Sequence, residues 1–142
     1  MTSAERVLVL CEHGRAGAAA IDLARNLAEL SNALLTVVAV APQAPSGPRC
    51  GNSAVEYNRA IAESVAQDLD RARERLAAAA ERAEFLLLID GADQTLEQLA
   101  RSGGFDLVLL PARRRPLRAT SHPEASRLGR IAGAEIRIVA PA

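Results

Sequence analysis

Leu34-Leu-Thr-Val-Val-Ala-Val40 is an apolar run interrupted only by Thr36. It is too short for an ordinary helix and lacks the alternation of a half-exposed strand, so it reads as a strand buried on both faces of a parallel sheet. Val7 to Cys11, Phe85 to Ile89 and Phe105 to Leu110 share this character. The intervals between them carry helical periods instead. A first helix runs from about Gly14 to Leu30, with Ala20, Ile21, Ala24, Leu27 and Ala28 on one side and Asn32 as a left-handed stop. A second starts at Ser53 with Glu56 in capping-box spacing. It places Tyr57, Ile61, Val65, Leu69, Ala72, Leu76 and Ala80 on one stripe.

A third helix begins near Asp90 or Asp93, carries Leu96, Leu99 and Ala100, and stops at Gly103 and Gly104. The fourth starts with Ser121 and Glu124 as a capping box and Pro123 in the first turn. Ala125, Leu128 and Ile131 form its apolar face, and Gly133 ends it. Glu135 to Ala140 alternates Ile136 and Ile138 with Glu135 and Arg137, the pattern of a half-exposed edge strand. Five strands alternating with four helices predict an α/β fold, a single-domain five-stranded parallel sheet wound on both faces. Ala41 to Asn52, with three prolines, reads as a flexible loop within that one domain, spanning residues 1–142.

Composition narrows the function. The 142 residues carry 17 basic and 17 acidic side chains, a formal net charge of zero, and only 2% aromatic residues. Neither a basic field nor a stacking surface for nucleic acid is present. No apolar run approaches the roughly 20 residues of a membrane span. Met1 to Cys11 has Glu5 beside Arg6 and no small-residue cleavage site, so a cytoplasmic location is expected. Every Lys/Arg position is Arg, which removes lysine Schiff-base chemistry and a Walker-type phosphate lysine. Cys11 and Cys50 read as free thiols.

In a sheet wound on both faces, ligands bind beyond the carboxyl ends of the strands, where the winding reverses. That rim holds Cys11 to Gly14, Val40 to Pro42, Asp90 to Asp93 and Pro111 to Ser121. Cys11 and His13, together with His122, permit nucleophilic or metal chemistry, though their spacing matches no recognised ligand set. A packed thiol and a water-bonded loop imidazole are the plainer readings. Asp90 and Asp93 can form a carboxylate pair or cap a helix. Asp106 belongs to the opposite, amino-terminal edge, with a structural role.

Taken together, Arg6-Val-Leu-Val-Leu-Cys-Glu12, Leu34 to Val40, Phe105-Asp-Leu-Val-Leu-Leu110 and the segment from Ser126 into Ile136-Arg-Ile-Val-Ala-Pro141 resemble the universal stress protein family over essentially the full length. The resemblance implies a Rossmann-like sheet in the order 3-2-1-4-5 and a homodimer paired through the last strand, burying Ile136 or Ile138. In one branch of the family it also implies bound ATP. Val40 matches that branch's adenine-side valine, and Glu12 stands where an Asp is expected. The phosphate loop of that branch, G-x-x-G followed by G-S or G-T, is not matched. Pro111 stands at the first glycine, Arg114 at the second, and Pro123 to Ala125 at the last glycine and hydroxyl.

Glycines in such a loop let several amides converge on phosphate, whereas proline fixes φ and removes its own amide. A triphosphate cradle is therefore not expected. Arg113, Arg114, Arg115 and Arg118 can supply a different anion site or suit an acidic partner; as a short charge run they can equally form a solvated, mobile loop. The expectation is a non-enzymatic, homodimeric stress-response or regulatory protein with a degenerate nucleotide site, without cofactor or metal. It would act through protein contacts or a small anionic ligand held by Glu12, Val40, the arginines and Ser121. The alternative is an adenine-nucleotide binder, for ATP or AMP, using Val40, Glu12 and the Arg113 to Arg118 loop, with slow ATP hydrolysis left open. A weaker third is a small enzyme using Cys11 or His13.

Overall fold

The computed structural model describes residues 5–42, 51–89, 95–115, 118–130 and 134–141, with the backbone alone at 51–54, 114–115, 118–121 and 126. Among the described residues seven strands follow one another: β1 (Arg6–Leu10), β2 (Leu34–Ala41), β3 (Ala83–Ile89), β4 (Leu107–Pro111), β5 (Arg113–Arg115), β6 (Arg118–Ser121) and β7 (Glu135–Val139). Five of them form a parallel sheet in the order β3-β2-β1-β4-β7, the order expected; β5 and β6 pair separately as an antiparallel hairpin. The helices are α1 (Arg15–Ser31), α2 (Gly51–Leu76), α3 (Leu96–Ser102) and α4 (Ala125–Gly129).

Alternate residues of the central strands point to opposite faces, and both faces are covered. Val7, Val9, Val37 and Leu109 pack under α1 and α2 with Ile21, Ala24, Leu69 and Leu76. Leu8, Leu10, Val38 and Leu110 pack under α3 and α4 with Leu96, Leu99 and Leu128. Burying each such Leu or Val contributes about 1.5–3 kcal/mol, which is why these strands contain scarcely a polar residue. Asp106 has the structural role expected of it. Its Oδ2 accepts from the Arg6 amide at 2.8 Å, and its backbone links the starts of β1 and β7.

Asn32 terminates α1 in the left-handed region, as read. Helix starts differ more. α2 begins at Gly51, so Ser53 lies inside its first turn instead of capping it. It ends at Leu76, where Ala77 takes positive φ and a 3-10 turn carries Ala80. Tyr57, expected on the buried stripe, is exposed, because α2 is longer than the strands beneath it and its first turns extend past them. α3 is capped by Thr95 in a capping box with Gln98; Asp90 and Asp93 lie outside the described residues. α4 has Glu124 as its N-cap, while Ser121 belongs to β6. Ile131 and Gly133 are outside the described residues.

Two glycines set the turn from β1 into α1. Gly14 caps the helix at φ 103°, a conformation that disfavours any side chain, and Gly17 lies so close to the end of β1 that a Cβ would collide with the Glu12 carbonyl oxygen. Gly to Ala inside a helix ordinarily stabilises by about 1 kcal/mol. Here the collision with rigid backbone outweighs that gain. Gly17→Ala is expected to lower stability by about 1–2 kcal/mol in urea denaturation; unchanged or increased stability would show that α1 does not press on Glu12.

Candidate functional site

The winding reverses between β1 and β4, since α1 follows β1 onto one face while α4 follows β4 onto the other. Glu12 lies in that crevice, just past β1. Pro111 ends β4 fully buried and in register with Val139, after which the Ala112 amide donates to the Val139 carbonyl at 2.8 Å. The β5-β6 hairpin then reverses the chain, with Arg113 opposite Ser121. This reversal returns His122 to the position from which Arg113 departed, and both reach Glu12.

Arg113 grips Glu12 with two donors. Nη2 bonds Oε2, and Nε donates to Oε1 at 3.3 Å. His122, whose side chain is 1% exposed, has Nε2 at 3.0 Å from Glu12 Oε2. Its other ring nitrogen, Nδ1, accepts from the Glu124 backbone N–H at 3.0 Å. An accepting Nδ1 carries no proton, so the neutral ring must donate through Nε2. Burial opposes ionisation of Glu12, but the hydrogen bonds from His122 and Arg113 and the charge of Arg113 outweigh it, and its pKa lies below the ordinary carboxylate value. The same pairing raises that of Arg113.

Two of the cavities that Glu12 lines also take in Arg113. One, of about 440 Å³, has Leu10, Val40, Leu88, Ile89 and Leu96 as its apolar wall, with Glu97, Arg113, His122, Glu124 and Arg127 around it. The second, of about 360 Å³, reaches toward His13, Val65, Asp68 and Pro111. Cys11, Glu12, Val40 and Arg113 line both. Cys11 is buried, its Sγ 3.5 Å from the Asp68 carbonyl; burial, reinforced by the negative charges of Asp68 and Glu12, pushes the thiol up to about 12. It is not a nucleophile near neutral pH. His13 is exposed, with Nδ1 3.6 Å from Asp68, and no group of three or more metal-ligating side chains occurs among the described residues.

Of the residues singled out in the sequence, Glu12, Val40 and Arg113 converge. Arg114, Arg115, Arg118 and Ser121 have their backbone in the hairpin, and their side chains lie outside the described residues, as does Cys50. The arginine run forms strands where a solvated loop was one reading. His122 is the member whose role was missed: expected as a water-bonded loop residue, it is buried against Glu12. The available signal was weak, two short stretches of Arg, Ala, Thr and Ser around Pro116-Leu117 that could fold back on themselves.

The sequence profile of the universal stress protein family, by that description, matches residues 4–132. The chain belongs to this family. Among solved structures, universal stress protein UspA from Lactobacillus plantarum is 20% identical, with 98% of this chain and 99% of that one covered at a TM-score of 0.79. A universal stress protein in complex with cAMP is 19% identical over 99% and 100% of the two chains, with a TM-score of 0.60. One from Archaeoglobus fulgidus in complex with dAMP is 14% identical over 100% of both, at 0.52. No curated protein matches the sequence at a significant level.

Against the family's phosphate loop, this universal stress protein has a different local chemistry. The Glu124 amide is engaged by His122 Nδ1 and the Ala125 amide by the His122 carbonyl at 3.0 Å, so two N–H groups at the start of α4 are already occupied. His122 does this, where Ser121 was expected to.

A folded-state pKa below the unfolded one stabilises above the unfolded value and is lost as pH falls through the folded one. Wild type is therefore expected to exceed Glu12→Gln in stability by about 1 kcal/mol at pH 7, a modest figure because Arg113 is half exposed. The difference should shrink as pH drops below about 4.5, the ordinary value for Glu. Urea titrations from pH 7 to pH 3 measure this, and a pH-independent difference would refute the charged pairing.

Proposed function

We propose that this chain is a non-enzymatic regulatory universal stress protein of the cytoplasm, homodimeric through β7, with a degenerate polyphosphate site, acting through protein contacts or a small anionic ligand. One observation carries the reading. The amides at the start of α4, which a polyphosphate would need, are engaged by His122, and the Glu12 carboxylate is engaged by His122 and Arg113. A second reading, an adenine mononucleotide, is supported by the apolar wall around Val40 and by the cAMP and dAMP complexes of proteins sharing the fold. A cavity of about 440 Å³ falls within the range of small-ligand sites.

Thermal denaturation with ATP, AMP and cAMP, each with and without magnesium, separates these readings. A ligand at a hundred times its Kd adds about 2.7 kcal/mol, or some 5–10 °C for a chain of this size. Millimolar Mg-ATP is expected to move Tm by less than about 1 °C. A shift of several degrees with AMP or cAMP alone favours the mononucleotide, and a larger shift with ATP overturns the degenerate site.

The dimer reading rests on β7. It is an edge strand with no second strand paired to it among the described residues, and its Ile136 and Ile138 are half-buried while Glu135 and Arg137 are exposed. Pairing with a second copy would remove that open edge. Light scattering at micromolar concentration is expected to give twice the chain mass for wild type and a monomer for Ile138→Asp; monomeric wild type would overturn the assignment.

A further inference from the structure

We propose that Arg113 and Glu12 form an autoinhibitory latch across the rim cleft, which a ligand carrying a single phosphate-type anion opens by taking the Arg113 guanidinium away from Glu12. The proposal rests on the small-anion part of the function proposed above and names how that site is regulated.

The placement of the pair is the first argument. Two of the rim cavities share Glu12, Arg113, Cys11 and Val40, so the ion pair borders both. A ligand placing an apolar ring against Val40 and extending past β1 must displace it.

Burial decides which partner moves. Arg113 is 54% exposed, Glu12 19% and His122 1%. Glu12 is held from behind by His122, and His122 is held by the Glu124 amide, whereas Arg113 bonds Glu12 from the open side and has the Glu124 charge nearby. When Arg113 leaves, Glu12 Oε2 keeps the Nε2–H of His122 and no buried donor is stranded. The guanidinium fork suits a phosphate as well as it suits a carboxylate, so the exchange replaces one bidentate partner with another.

The remaining charges define the ligand. Glu97 and Glu124 face the larger cavity together with Glu12, against the guanidiniums of Arg113 and Arg127, and Arg101 and Arg127 already pair with Glu97 and Glu124 at 3.3 and 3.6 Å. With Glu97 paired to Arg101 and Glu124 to Arg127, Arg113 is, among the described side chains of this cavity, the cation whose carboxylate partner an incoming anion replaces, so the site takes one phosphate group. The class is therefore a compact monophosphate with a flat apolar portion.

Isothermal titration of wild type, Glu12→Gln and Arg113→Ala with AMP, using adenosine as the phosphate-free control, tests the latch. Glu12→Gln, which keeps an acceptor for His122, is expected to bind AMP about tenfold more tightly than wild type, because the closed state no longer competes. Adenosine should bind both alike, and Arg113→Ala should reduce AMP to the affinity of adenosine. Equal AMP affinity in wild type and Glu12→Gln overturns the latch while leaving the small-anion reading intact. Failure of both proteins to bind AMP overturns the latch and the mononucleotide reading together. A measurement on wild type alone covers the case in which a variant does not fold. The Arg113 Nε–H resonance should move on AMP addition and stay fixed with adenosine; no movement with bound AMP also overturns the latch.

Discussion

A carboxylate at the end of the central strand, set among packed side chains, must find donors or lose its charge. Glu12 finds two, and the chain around it is arranged to bring them. Removing one partner of a fully buried ion pair costs about 3–5 kcal/mol, but Arg113 reaches solvent, so most of that penalty is screened. What remains ties three segments distant in sequence, the β1-α1 turn, the start of the β5-β6 hairpin and the approach to α4, to one pair of oxygens. His122 makes the arrangement directional. With Nδ1 committed to the Glu124 amide, it can serve Glu12 only as a donor.

The position of this cluster follows from the winding of the sheet. β1 and β4 lie side by side, and the segments leaving them diverge to opposite faces, opening a crevice at their carboxyl ends. Gly14 and Gly17 let α1 begin tightly against β1, which brings Glu12 to the edge of that crevice. Beyond it the apolar wall of Leu10, Val40 and Leu88 continues the core that packs α3 and α4, so the cavity is an extension of the fold and not an appendage to it.

Membership of the universal stress protein family establishes the framework, and identities of 14–20% to solved relatives confine the likeness to that framework. Function depends on the groups at the rim. Here they differ in kind from a glycine loop: Pro111 closes β4 without an amide, a hairpin follows it, and an imidazole occupies the amide before α4.

Strand order, the two buried faces, the stop of α1 at Asn32 and the edge position of the last strand were all legible in the sequence, because burial on both sides of a parallel sheet leaves continuous apolar runs and helices leave a 3.6-residue stripe. Glu12, Val40 and Arg113 were legible as rim residues for the same reason. Helix starts were less so. Ser53 and Ser121 have capping-box spacing, yet α2 begins at Gly51 and Glu124 is the N-cap of α4, since packing and chain direction override a local cap. The pairing of Glu12 with Arg113 and His122 was decided only in three dimensions. It depends on a hairpin too short and too polar to leave a periodic signal, and on contacts between residues about a hundred positions apart, which no local pattern encodes.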